Sequence, residues 1–255
     1  MASSMKLNQA KQCPLCDGTG WRPVEKQGIR AVDVCQCRQQ PRDESWWLDH
    51  ARIPRRYREC SFEGFDGLND SLKFAKGKAQ AFANDYPLVE RGLLFIGIPG
   101  VGKTHLSVAI LKHLMLNKSA DCLFISFQEL LQKIRDSYNP VSLSTESQVL
   151  QPVLETSVVL IDDLGANRVT DWVEDTVTYI LNHRYNEKLP TILTSNLPDD
   201  SDAVQKRSPS GKYSIGDTLR DRIGERVYSR LYEMCDKIVM KSEDFRQTVL
   251  LPGHG

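Results

Sequence analysis

The sequence predicts an α/β fold: a parallel sheet covered by helices on both faces, preceded by a small cysteine-rich segment. From Gly92 onward, short apolar runs alternate with helical stretches, the pattern of strand–helix–strand crossovers. The run Leu93-Leu94-Phe95-Ile96 feeds into Gly97-Ile98-Pro99-Gly100-Val101-Gly102-Lys103-Thr104, which fits G-x-x-x-x-G-K-[ST] between a strand and a helix. A second run, Val158-Val159-Leu160-Ile161, ends in Asp162-Asp163. In a parallel sheet those carboxylates stand at the C-terminal edge, beside the glycine loop.

The 255 residues suit one medium domain plus something small. Hydrophobic residues make up 40% and charged residues 26%, an ordinary globular composition. Basic and acidic residues both number 33, so bulk charge gives no support to nucleic-acid binding, and any DNA contact must use a local patch. Lys73, Lys76 and Lys78 form one candidate patch, and Lys206, Arg207 and Lys212 another. Met1 to Lys6 lacks an apolar signal region, and no stretch approaches the ~18–20 apolar residues of a membrane helix. A cytoplasmic protein without membrane contact is expected.

Residues 1–45 are polar and rich in Gly, Cys and Arg, and cannot build a core of their own. Cys13-Pro14-Leu15-Cys16 and Cys35-Gln36-Cys37 are two close thiol pairs separated by a Gly-rich, hairpin-like stretch. In a reducing compartment such pairs are metal ligands rather than disulfides. Four thiolates suit a closed, structural Zn²⁺ site. An iron–sulfur cluster and unligated thiols are the alternatives.

Residues 46–70 read as a short helix and an irregular connector, and 71–255 as the main domain. Ser71 is expected to cap a helix to about Ala83, with Leu72, Ala75, Ala79 and Phe82 on one face. Strands are expected at 93–97, 122–126, 157–161 and 190–194, with last ones at 237–240 and 248–251. Helices are expected at 103–117, 127–136, 146–154, 172–187 and 219–234. Residues 139–144 and 201–216 read as loops.

The glycine loop turns backbone N–H groups toward phosphate oxygens, and the following helix N-terminus adds favourable charge. Gly97, Pro99, Gly100, Val101, Gly102, Lys103, Thr104 and His105 are therefore expected to line a nucleoside triphosphate, ATP. Lys103 would reach the β- and γ-phosphates; Thr104 and Asp162 would hold Mg²⁺. Asp163 would polarise the attacking water.

With these motifs the chain resembles the AAA+ ATPases of the DnaC/IstB type. The resemblance runs from about Ile53 to Arg246. It includes Ile53-Pro54-Arg55-Arg56-Tyr57, the loop with Lys103-Thr104-His105-Leu106, Asp162-Asp163-Leu164-Gly165, Asn182-His183-Arg184-Tyr185, Thr194-Ser195-Asn196 and Ser229-Arg230-Leu231. It implies that Asn196 is the sensor 1 residue holding the lytic water. It also implies that Arg230 is the arginine finger offered to a neighbouring subunit, with Arg226 as runner-up. Arg246, in Asp244-Phe245-Arg246, resembles the sensor 2 position, with Phe where the family has Tyr. Asp163 stands where many AAA+ proteins carry Glu. The resemblance further implies an ATP-dependent homo-oligomer that loads a replicative helicase onto single-stranded DNA. The alternatives are an IstB-like helper that delivers a transposase, and a nucleotide-binding adaptor that does not hydrolyse.

Overall fold

The computed structural model describes residues 21–26, 29–34, 43–138, 145–166, 170–199, 205–207, 213–215, 218–243 and 245. The chain divides into two compact units, Met1–Trp46 and Trp47–Gly255. In the first, strands β1 (Trp21–Lys26) and β2 (Ile29–Val34) form an antiparallel hairpin in which Trp21 faces Val34 and Lys26 faces Ile29. Cys13, Cys16, Cys35 and Cys37 lie outside the described residues, as does Arg246. A short helix, α1 (Glu44–His50), follows the hairpin.

The second unit is built on five parallel strands: β3 (Gly92–Ile96), β4 (Cys122–Ser126), β5 (Val158–Asp162), β6 (Thr191–Ser195) and β9 (Cys235–Val239), in the order β4-β5-β6-β3-β9. Every residue of β3, β5 and β6 is buried, as parallel strands covered on both faces require. Strand alternation splits the core in two. Leu93, Phe95, Phe124, Val158, Leu160, Ile192 and Ile238 point to one face, under α2 (Asp70–Asp85) and α3 (Lys103–Lys118). Leu94, Ile96, Leu123, Ile125, Val159, Ile161 and Leu193 point to the other. There they meet α4 (Phe127–Ser137), α5 (Glu146–Glu155), α6 (Asp171–Asn186), α7 (Leu219–Ile223) and α8 (Glu225–Met234). Among the described residues no helix is long and apolar enough to cross a membrane.

Several boundaries differ from the sequence expectation for local reasons. Asn69, not Ser71, caps α2: its side chain accepts the Leu72 N–H, while the Ser71 hydroxyl donates to Val239 O at 3.0 Å. The helix expected over 219–234 is broken at Gly224, whose φ of 84° is left-handed. A Cβ there would stand 2.5 Å from the Glu174 carboxyl carbon, so the break also makes room for α6. Within the expected loop 201–216, Gln205–Arg207 (β7) and Tyr213–Ile215 (β8) pair as a small antiparallel ribbon. The last strand starts at Cys235, earlier than expected, and residues 248–251 lie outside the described residues.

Candidate nucleotide site

The glycine loop leaves the C-terminal end of β3 and enters α3, as its motif requires. Gly102 caps α3 with a φ of 94°, and a Cβ there would lie 2.5 Å from the Phe65 ring. Only glycine lets the loop turn this tightly beneath the connector. Lys103 is 4% exposed and its ammonium folds back on the loop, donating to Gly97 O at 2.8 Å and Ile98 O at 2.9 Å. Those bonds hold the charge in the cradle that phosphate oxygens would fill.

Sheet register brings the acids to the loop. Ile161 pairs with Leu193, so Asp162 stands beside Thr194 at the ends of β5 and β6. Asp162 is buried, and its Oδ1 accepts the Thr104 hydroxyl at 2.8 Å and the Thr194 hydroxyl at 2.7 Å. Burial is the main force raising its pKa above the ordinary carboxylate value; the Thr194 bond opposes it, and the neighbouring Asp163 charge adds to it. A cation would relieve that cost. A carboxylate and a hydroxyl oxygen are hard donors, a set that fits Mg²⁺ bound through few protein ligands and waters.

Asp163 adopts a left-handed backbone with φ of 57°, uncommon outside glycine. Three bonds hold it there. Thr194 Oγ1 accepts the Asp163 N–H at 2.9 Å, and Thr194 O accepts the Leu164 N–H at 2.8 Å. Asn196 Nδ2 donates to Asp163 Oδ1 at 2.8 Å. The strained turn aims the Asp163 carboxylate off the strand axis and ties it to the Asn196 amide. An acceptor and an adjacent amide donor at one point are what orienting and deprotonating a water molecule require.

The connector packs against the loop and against His105, a residue expected to line the nucleotide. His105 Nε2 bonds to Ser61 O at 2.8 Å, and its ring meets Phe65 edge-on at 5.5 Å. Phe65, Leu68, Leu72, Val101, His105 and Phe245 border a cleft beside the loop, on the side away from Asp162. On the other side, the turn Arg55–Tyr57 places Tyr57 against Phe124. Burial raises the pKa of the Tyr57 phenol, and the nearby Asp162 and Asp163 charges add to the rise. Arg56 stacks over the Tyr57 ring at 4.4 Å and donates to its hydroxyl. The only sequence signal for this pair was the Ile53–Tyr57 motif.

Arg230 is not part of this cluster. The loop, Asp162, Asp163 and Asn196 sit at the C-terminal edge of the sheet, whereas Arg230 lies on α8 one turn before Cys235, which pairs with Gly92 at the opposite edge. Five-residue strands separate those edges by roughly 15 Å. Arg226 lies further up α8, bonded to Glu174 at 3.4 Å and Asp175 at 3.2 Å. The described cysteines, Cys60, Cys122 and Cys235, are buried. Burial pushes the thiols of Cys60 and Cys235 up to about 11 and about 12, so they are core residues rather than ligands.

A family model described as IstB-like ATP binding protein matches residues 73–248. Among curated proteins, the uncharacterized protein YqaM of Bacillus subtilis (strain 168) is 27% identical over 207 residues, covering 76% of this chain and 59% of its own. The replicative helicase loader DnaC of Buchnera aphidicola subsp. Schizaphis graminum (strain Sg) is 28% identical over 154 residues, covering 59% of this chain and 61% of its own. The chain thus spans about three fifths of the length of both relatives. The crystal structure of the DnaC helicase loader superposes with a TM-score of 0.61 at 32% identity, over 74% of this chain and 100% of that one.

Proposed function

The chain belongs to the IstB/DnaC-type family of AAA+ ATPases, and on that premise we propose that it is an ATP-dependent loader of a replicative helicase onto single-stranded DNA. The observation that carries the mechanism is the split between the Asp163–Asn196 pair at one sheet edge and Arg230 at the other. A site built this way is completed by the Arg230 of a neighbouring copy, so turnover reports assembly. A finger supplied in trans is worth ~10³–10⁵ in rate.

Each residue has a role in this reading. The loop from Gly97 to Thr104 holds the phosphates, with Lys103 leaving Gly97 O and Ile98 O for the β- and γ-oxygens. Thr104 and Asp162 hold Mg²⁺, which neutralises phosphate charge when bound. Asp163 accepts the proton of the lytic water, and Asn196 orients that water. Arg246 is offered as a further phosphate contact on the family resemblance alone.

The N-terminal segment is proposed as a Zn²⁺-bound appendage that grips the partner. Two features support it: the spacing of Cys13, Cys16, Cys35 and Cys37, and a hairpin that pairs Trp21 with Val34, the residue preceding Cys35. Metal analysis should find about one zinc per chain. The partner is supported by the helicase loaders among the relatives. The name of the family model favours a second reading, an IstB-like transposition helper.

Capture from the native host separates the two: co-purification of the replicative helicase supports the loader, and of a transposase the helper. In the same preparation, Asp163→Asn should bind ATP without hydrolysing it. Unchanged turnover would remove Asp163 from catalysis, whereas an ATPase rate of the parent chain insensitive to DNA and to protein concentration would favour an adaptor.

A further inference from the structure

Arg230 does not hang free from α8. Its Nη1 donates to Glu233 Oε2, one turn later, at 2.5 Å. Its guanidinium carbon lies 5.0 Å from the centre of the Tyr185 ring, in the last turn of α6. The same Glu233 carboxylate raises the pKa of the Tyr185 phenol, so Arg230, Glu233 and Tyr185 form one cluster of three side chains from two helices. The Arg230 side chain is 29% exposed against 64% for Arg226. Among the described residues, Arg230 Nη2 and Nε make no further bond, so that edge of the guanidinium is open.

We infer that Tyr185 and Glu233 are positioning residues that hold the Arg230 guanidinium ready for a phosphate on a neighbouring copy. The inference rests on the reading of Arg230 as the group that completes that neighbour's site. An unrestrained Arg surrenders rotamer freedom when it binds. A side chain already stacked on a ring and pinned at Nη1 surrenders less, and Nε with Nη2 still forms the fork that matches a phosphate. The Glu233 bond uses Nη1, which leaves Nε and Nη2 for a phosphate. As a half-exposed i,i+3 ion pair alone, Arg230–Glu233 would add little to the stability of the fold. Its consequence therefore falls on turnover.

The test follows ATP hydrolysis by the full chain as protein concentration rises, with nucleotide affinity and melting temperature measured alongside. Glu233→Gln and Tyr185→Ala should lower plateau turnover about fivefold or more, with nucleotide affinity and the half-saturating protein concentration unchanged. Tyr185→Phe keeps the stack and should restore at least half the plateau. The ¹⁵N order parameter at Arg230 Nε, read on the unassembled chain, should be high in the parent and drop below about 0.6 in Glu233→Gln. Arg230→Ala separates the two levels. If its turnover still rises with concentration, the finger reading fails and the positioning role with it. If Arg230→Ala is flat but Glu233→Gln keeps or exceeds the parent plateau, the finger stands and the positioning role is overturned.

Discussion

Thr194 donates its hydroxyl to Asp162 Oδ1 at 2.7 Å while the same oxygen accepts the Asp163 N–H at 2.9 Å. One buried side chain thus fixes the orientation of the first acid and the backbone of the second. Thr194→Val keeps the shape and removes both bonds. It leaves a buried carboxylate short of a donor and an N–H short of an acceptor, each worth about 1–3 kcal/mol. Hydrolysis should fall at least tenfold, with ATP binding through Lys103 retained, and Thr194→Ser should recover most of it. Turnover and nucleotide affinity measured side by side check this; a Thr194→Val chain with normal turnover would mean that Asp163 needs no such support.

Asp162 should trade stability for function. Its pKa lies above the ordinary value of 3.8, chiefly because it is buried. The folded state therefore binds this proton more tightly than the unfolded chain. The stability this provides is fully present below the unfolded pKa and is lost as pH rises through the folded one. At neutral pH the charged carboxylate works against the fold. Asp162→Asn keeps an oxygen to accept from Thr104 and Thr194 and removes that charge. It should raise the melting temperature at pH 7 by roughly 2 °C or more, and the gain should shrink as pH falls toward 4. The same variant should lose Mg²⁺-dependent nucleotide binding. A lower melting temperature at pH 7 would show that the Lys103 charge outweighs the burial.

Arg184 is fully buried and, among the described residues, has no carboxylate partner. Its guanidinium donates to Val153 O at 2.9 Å, Thr156 O at 2.8 Å, Pro190 O at 2.8 Å and Thr191 Oγ1 at 2.9 Å. It collects the loose carbonyls at the end of α5 and at the start of β6. Burial pulls its pKa down to about 10, still charged at neutral pH. Arg184→Met fills the volume but orphans those acceptors. The cost should be about 3–5 kcal/mol, as for breaking other buried charge networks, read as a fall in the urea midpoint. Arg184→Lys should recover little, because one ammonium cannot reach four divergent oxygens.

What the sequence made legible was local. Lys103, Thr104 and Asp162 each follow from a pattern within one strand and its following turn, and the strands expected at 93–97, 122–126, 157–161 and 190–194 lie within a residue of their observed bounds. What it hid was long-range. The work of Thr194 depends on the β5–β6 register, which no local pattern states. Arg184 reads as a cation at a helix C-terminus until α5 is packed against it. Gly224 looks tolerable inside a helix until Glu174 occupies the space its Cβ would need. The Asn69 cap wins over Ser71 because Ser71 is claimed by Val239, 168 positions away.

Tyr57 is the same lesson at the site itself. Its phenol pKa is raised by burial and then by the charges of Asp162 and Asp163, the acids beside the Thr104 hydroxyl expected to face Mg²⁺. Arg56 stacked on it brings a cation toward the same acids. A phenol and a guanidinium beside these acids compete with a metal for space and charge. Tyr57→Phe keeps the ring against Phe124 and removes only the hydroxyl. The Mg²⁺ concentration for half-maximal ATP binding should then fall about threefold, a gain of ~0.6 kcal/mol set by RT of 0.59 kcal/mol. Nucleotide affinity without metal should not move. A rise in the Mg²⁺ requirement would reverse the sign and make the phenol a helper in holding the metal's water shell rather than its competitor.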